Sequence, residues 1–158
     1  MTYPDPPVLR LIYASRATPA WVEDVDGQLS DILTEAVPRN RARGVTGLII
    51  THGGWILQGL EGPCHAVRET HALIAADPRH CESVVRVDDL VEERLFPRWN
   101  LCARALSGAD VALLSDLAVG RPFDPARAPP HVLVRLLSII SKAHDHRFDA
   151  QQRMIVRR

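Results

Sequence analysis

Thr46-Gly47-Leu48-Ile49-Ile50-Thr51-His52-Gly53-Gly54-Trp55-Ile56-Leu57-Gln58-Gly59-Leu60-Glu61-Gly62-Pro63 is the stretch that decides the fold. Two apolar, β-branched-rich runs, Thr46 to His52 and Trp55 to Glu61, flank Gly53-Gly54, the composition a two-residue primed turn demands. The spacing predicts a hairpin. Pro63 then stands where a helix can begin, and Ala66, Val67, Thr70, Leu73 and Ile74 form a helical stripe that Asp77-Pro78 stops.

Upstream of the hairpin, Val8 to Ala14 reads as a strand whose period of two puts Leu9, Leu11 and Tyr13 on one face, the expected core side. Val22, Val25, Leu29, Ile32, Leu33, Ala36 and Val37 recur at helical spacing. Gly27 weakens the first turns, so the firm helix is expected from near Asp26, and Pro38 is expected to end it because a residue before proline resists helical torsions. Asn40 and Gly44 follow in a region suited to left-handed residues. Downstream, Val84 to Val87 and Trp99 to Ala103 read as two further strands, with Pro97 marking a break or edge.

This order predicts an α+β fold: a ferredoxin-like, mostly antiparallel sheet with two helices on one face. Beyond Arg104 the pattern turns helical, over Asp110 to Val119 and His131 to Ala143, with a proline-rich link between. The second segment is apolar around more than half its circumference and asks for two surfaces to pack on, which points to a homo-oligomer. Residues 1–106 are therefore expected to form one domain and residues 107–158 a helical extension, frayed from Gln151.

A length of 158 residues suits a single domain. Lys+Arg and Asp+Glu number 19 each, so the zero net charge offers no broad attraction to nucleic acid or anionic lipid, and neither is expected as a partner. The N-terminus lacks the basic start and apolar run of a signal peptide, and no apolar stretch has the length of a membrane span, so the chain is expected in the cytoplasm. Cys64, Cys81 and Cys102 have no C-x-x-C spacing and read as buried or idle thiols.

Gln58 carries the most information. It falls mid-strand on the same face as Ile56 and Leu60, so its carboxamide is expected to be buried, where an unpaired amide costs about 1–3 kcal/mol. The Tyr13 hydroxyl poses the same question, and Asn40 adds a third amide at the end of the first helix. Singly, each has an ordinary structural account as a satisfied buried polar group or a helix cap. Together they point further.

Leu11-Ile12-Tyr13-Ala14-Ser15, Asn40 with Gly44-Val45-Thr46-Gly47-Leu48, Leu57-Gln58-Gly59-Leu60-Glu61-Gly62-Pro63, Asp77-Pro78-Arg79-His80 and Phe96-Pro97-Arg98-Trp99 resemble the successive blocks of the BLUF domain, the blue-light sensors using flavin. The blocks run in unbroken order from about Val8 to Leu106. The resemblance implies a flavin, usually FAD, lying between the two helices with its edge toward the sheet. Tyr13 is similar to the tyrosine that gives an electron and a proton to the excited flavin, and Gln58 to the glutamine that bridges phenol and flavin. Asn40 matches the asparagine on the pyrimidine edge of the ring. Ile32 falls against the ring face, and Arg79 and His80 fall where the second helix ends beside it. Trp99 and the residue two positions on, here Leu101 in place of a methionine, are implied to relay the signal along the last strand. Ala36 and Pro38 also depart from the family pattern.

A carboxamide has donor and acceptor ends of nearly the same shape, so rotation or tautomer change alters what Gln58 offers its neighbours without any covalent bond. The resulting expectation is a reversible photoreceptor, not an enzyme, whose signal passes to a separate downstream protein. Two other readings are weighed beside it. One is a flavin-free BLUF-like interaction module, against which the joint presence of Tyr13, Asn40 and Gln58 argues. The other is a small ferredoxin-like hydrolase, for which no nucleophile with an adjacent base is found. His144-Asp145-His146 lacks a third metal ligand, and His65 and His71 face apart on one helix, so neither is taken as a site. No phosphate loop or Gly-x-Ser-x-Gly elbow is present, and Arg39, Arg41 and Arg43 read as a solvated turn.

Overall fold

The computed structural model describes residues 6–110, 112 and 124–156. Its elements are β1 (Val8–Ala17), α1 (Pro19–Glu23), α2 (Val25–Arg43), β2 (Thr46–His52), β3 (Trp55–Gly62), α3 (Cys64–Ala75), β4 (His80–Val91), β5 (Cys102–Ala105) and α4 (Pro130–Val156). The strands form one sheet in the order β4-β1-β3-β2-β5. All neighbours are antiparallel except β2 and β5, which run parallel. The fold is α+β, as the pattern of elements predicted, with the fifth strand added beside β2.

The hairpin forms where the glycines require it. Gly53 and Gly54 have φ of 56° and 78°, the paired left-handed conformation of a primed turn, and His52 pairs with Trp55 across it. Alternation then sorts the strands onto two faces. Leu9, Leu11, Tyr13, Ile49, Ile56 and Leu60 pack with residues of α2 and α3. Ile12, Ala14, Leu48, Ile50, Trp55 and Leu57 pack instead with Phe96 and with Leu133, Leu136, Leu137 and Ile140 of α4. Gly59 lies under that second layer, and a Cβ there would stand 2.6 Å from Phe96 Cζ.

Several boundaries differ from those expected. Pro38 lies inside α2 and does not end it; the helix runs on to Arg43, where Gly44 caps it in the left-handed conformation at φ 69°. The last turns are held by a local capping bond, Val45 N to Asn40 O at 2.9 Å, and by a tertiary one, Asn40 Nδ2 to Asn100 O at 2.9 Å, which offset the helical bond that proline removes. Asn40 is accordingly a buried helical residue. The last strand begins at Cys102, so Trp99 precedes it. β1 and β4 extend beyond the apolar runs that marked them, because each pairs with the other along its length. Of the helix expected over Asp110 to Val119, residues 108–110 and 112 are helical and the rest lies outside the described residues. The second tail helix spans Pro130–Val156, and its apolar stripe is buried on the chain's own sheet.

Glu61 ties the sheet to the segment before β5. Its fully buried carboxylate accepts from Arg10 Nε at 2.9 Å, Leu95 N at 2.8 Å and Phe96 N at 3.0 Å. Arg94 bonds Thr46 Oγ1, Glu61 O and Gly44 O. The path from β4 to β5 is thereby fixed beside the end of α2.

Candidate functional site

Between α2 and α3, over the middle of the sheet, lies a cleft partly open to solvent. Its floor holds Tyr13 and Gln58, its apolar walls include Ile32, Ile49, Ile56 and Leu101, and Asn40, Arg79 and His80 complete its polar lining.

The register explains the central contact. Tyr13 of β1 and Gln58 of β3 are directly opposite, on the helix-facing side, so their side chains meet. Tyr13 Oη donates to Gln58 Oε1. Both residues are nearly inaccessible, at 2% and 3% exposure. The Gln58 Nε2 end has no partner among the described residues. Burial, with the negative charge of Asp77 adding to it, pushes the Tyr13 phenol far above its ordinary range. A lone proton therefore cannot leave it cheaply.

Asn40 donates to Asn100 O, while its Oδ1 is buried without a partner among the described residues. The same holds for Arg39 Nε and His80 Nδ1. Each such atom costs about 1–3 kcal/mol unless something bonds it. A flat heteroaromatic ligand with ring nitrogens and carbonyls meets these needs between apolar walls, and a flavin has that chemistry. The residues present fit one.

Arg79 bridges the cleft's two sides. It bonds Asp77 Oδ2 at 2.6 Å and Glu35 Oε2 of α2 at 3.2 Å. Burial pushes the Asp77 carboxyl up, but hydrogen bonds and charge from Arg79, with His80 adding, hold it below the usual range. His80 Nε2 lies 2.5 Å from Ile74 O at the end of α3.

Leu101 and Trp99 are divided between the two faces of the sheet. Leu101 lines the cleft, whereas Trp99 packs on the opposite layer, with Nε1 2.6 Å from Asp145 Oδ1 and its ring edge-on to His144 at 5.1 Å. Asn100 joins them: its Oδ1 accepts from Arg41 Nε at 3.4 Å, and its Nδ2 donates to Val45 O at 3.1 Å. Sequence reasoning missed Asn100, Asp77 and His71. Asn100 sits in an unpatterned link, and nothing in its spacing announces the bond to Asn40. His71 is separate from His65 as expected, but its ring lies 5.4 Å from that of Tyr13, a contact between elements that helical spacing does not encode.

The fold and this cleft define the class, a small α+β domain with a cleft between two helices and one sheet face. A family model described as BLUF, sensors of blue-light using FAD, matches residues 8–102. The chain belongs to the BLUF family of flavin-using blue-light sensors. The matched domain is a sensor and does no catalysis itself.

Among curated proteins, photoactivated adenylate cyclase subunit beta of Euglena gracilis is 34% identical over 98 residues, 61% of this chain. The same subunit of Euglena longa is also 34% identical over 98 residues. The chain spans 11% of the length of these relatives. Among solved structures, BlsA in its photo-activated state is 25% identical with a TM-score of 0.76, covering 85% of this chain and 94% of that one. The dark state of BlrB, a BLUF protein, is 29% identical with a TM-score of 0.67, covering 84% and 96%. Among the described residues no helix is long and apolar enough to cross a membrane.

Proposed function

We propose that this chain is a blue-light photoreceptor that holds FAD non-covalently in the α2–α3 cleft and signals to a separate partner protein in the cytoplasm without turning over a substrate. The observation that carries this reading is the buried Tyr13–Gln58 hydrogen bond on the floor of a cleft lined by unpaired polar atoms. Asn40 Oδ1 and Gln58 Nε2 are the groups that would hold the ring's polar edge, Ile32 its face, and Arg79 and His80 its flank beside α3.

A bound flavin supplies an absorber of blue light whose excited state takes an electron from a nearby phenol. Tyr13 is that phenol. Its buried anion is disfavoured, so electron and proton would leave together, the proton passing from Oη to Gln58 Oε1 while Gln58 Nε2 gives one proton onward, which leaves the side chain neutral in its other tautomer. Tautomer change or rotation of Gln58 would thereby exchange its donor and acceptor ends and give it a different bond to make. The change passes from Leu101 through Asn100 to Trp99 and the face of α4.

In this scheme residues 1–106 sense and residues 107–158 cap the sheet and present the signal. The α4 stripe is already covered, so a homo-oligomer would use another surface; Val84, Val85 and Leu90 on edge strand β4 are exposed and apolar.

The test is an absorption spectrum of the chain loaded with FAD, before and after blue light. A reversible red shift is expected. Permanent bleaching overturns the hydrogen-bond mechanism, and a chain that stays colourless with added FAD favours the flavin-free module. A partner captured in one light state only should lose that dependence in Gln58→Leu.

A further inference from the structure

His71 lies on α3 with its ring centroid 5.4 Å from that of Tyr13 and the planes tilted by 49°. His80 lies 6.0 Å from the same ring, also tilted by 49°. The Tyr13 hydroxyl is committed to Gln58, so the contact with His71 is ring to ring. His71 Nε2 is buried with no partner among the described residues. A phenylalanine would fill such a position without leaving a ring nitrogen unpaired, so packing alone does not account for an imidazole there.

The charged groups around His71 come from three elements. Tyr13 on β1 and His80 and Asp88 on β4 face it, and Arg68 shares its helix, bonded to Asp88 by two contacts of 3.0 Å. Burial first, then the positive charges of His80 and Arg68, hold the imidazole below its ordinary range, with Asp88 opposing. His71 is thus neutral at neutral pH. Acid would place a cation that demands water against the buried phenol.

We propose that His71 is a positioning residue for Tyr13: as a neutral imidazole it packs the phenol with its hydroxyl on Gln58, and as an imidazolium it draws in water that competes for that hydroxyl, making the light response fall in acid. This rests on the photochemical role of Tyr13 proposed above. The step itself is unchanged. One electron and the Oη proton would leave Tyr13 together, the electron to the bound flavin and the proton to Gln58 Oε1 while Gln58 Nε2 gives one proton onward to the flavin, so that tyrosine and amide both end neutral. His71 neither gives nor takes a proton in it.

The experiment has two readouts on the full chain. In the dark, nuclear magnetic resonance titration from pH 8 to about pH 5 follows the ring protons of His71 and Tyr13; the Tyr13 signals should move with the His71 midpoint, which lies below the ordinary value of about 6.5. In light, the flavin-loaded chain should lose red-shift yield per flash on protonation of His71, with the same midpoint as the dark titration. His71→Phe should abolish that pH dependence while keeping the shift, and His71→Gln provides a second non-titrating variant. Tyr13 signals indifferent to the His71 midpoint, or the same acid profile in both variants as in the parent chain, overturn the proposal. Absence of a red shift in the parent chain at pH 7.5 overturns the photochemical reading instead.

Discussion

Removing the phenol hydroxyl and the carboxamide separately and together measures the bond at the centre of the site. Tyr13→Phe leaves Gln58 Oε1 with no donor, and Gln58→Leu leaves Tyr13 Oη with no acceptor. At 2% and 3% exposure, water has little access to either group. Each orphaned group should cost about 1–3 kcal/mol. The double variant leaves neither orphan, because both polar groups are gone and the sheet-facing volume is nearly kept. The singles should therefore sum to more than the double, with a coupling of about 2–6 kcal/mol, one orphan from each single. In a domain of this size that is a gap of roughly 4–24 °C in Tm between the additive expectation and the observed double variant. Urea unfolding of the flavin-free chain measures it without light. Strictly additive singles would falsify the idea that these side chains are each other's buried partner, and would leave the proton path without its first step.

Glu61→Ala should destabilise the chain by about 3–5 kcal/mol, because Arg10 and the Leu95 and Phe96 amides lose one buried carboxylate; a change below about 1 kcal/mol in urea unfolding would show that water replaces it readily. Asn40→Ala should lower flavin retention by about tenfold, the equivalent of one hydrogen bond of about 1.4 kcal/mol, read from the flavin-to-protein absorbance ratio; equal retention speaks against its role at the ring edge. Trp99→Phe keeps an aromatic ring but removes the Nε1 bond to Asp145, so amide exchange in α4 around residue 145 should quicken, and unchanged protection would remove α4 from the relay. His71 and His144 are both held below the ordinary histidine range, chiefly by burial. The unfolded chain thus binds more protons between the two ranges, and Tm should fall as pH drops from about 7 through the folded midpoints; a Tm that rises over that window contradicts their burial as neutral rings.

How much of this was legible in the sequence varies residue by residue. Gly53-Gly54 announced the hairpin because only residues tolerant of positive φ close so short a turn. Alternation placed Tyr13 and Gln58 on the core side of their strands for the same local reason. Pro38 misled: the local cost of proline is real, but the bonds of Asn40 and Val45 at the far end of α2 outweigh it. Trp99 also misled, since a helix far along the chain supplies the Asp145 carboxylate that holds it on the opposite layer.

The sequence by itself determined the kinds of element, the polar residues that alternation places in the interior and the order of the family's blocks, all of which depend on neighbours a few positions apart. Only the tertiary structure decided that Tyr13 lies opposite Gln58, that Asn100 anchors Asn40, that His71 touches the phenol and that α4 covers the sheet's second face. Those contacts join residues 45 to 60 positions apart or more, or meet across packed elements. Register and packing of the whole chain select them, and no short-range periodicity records that choice.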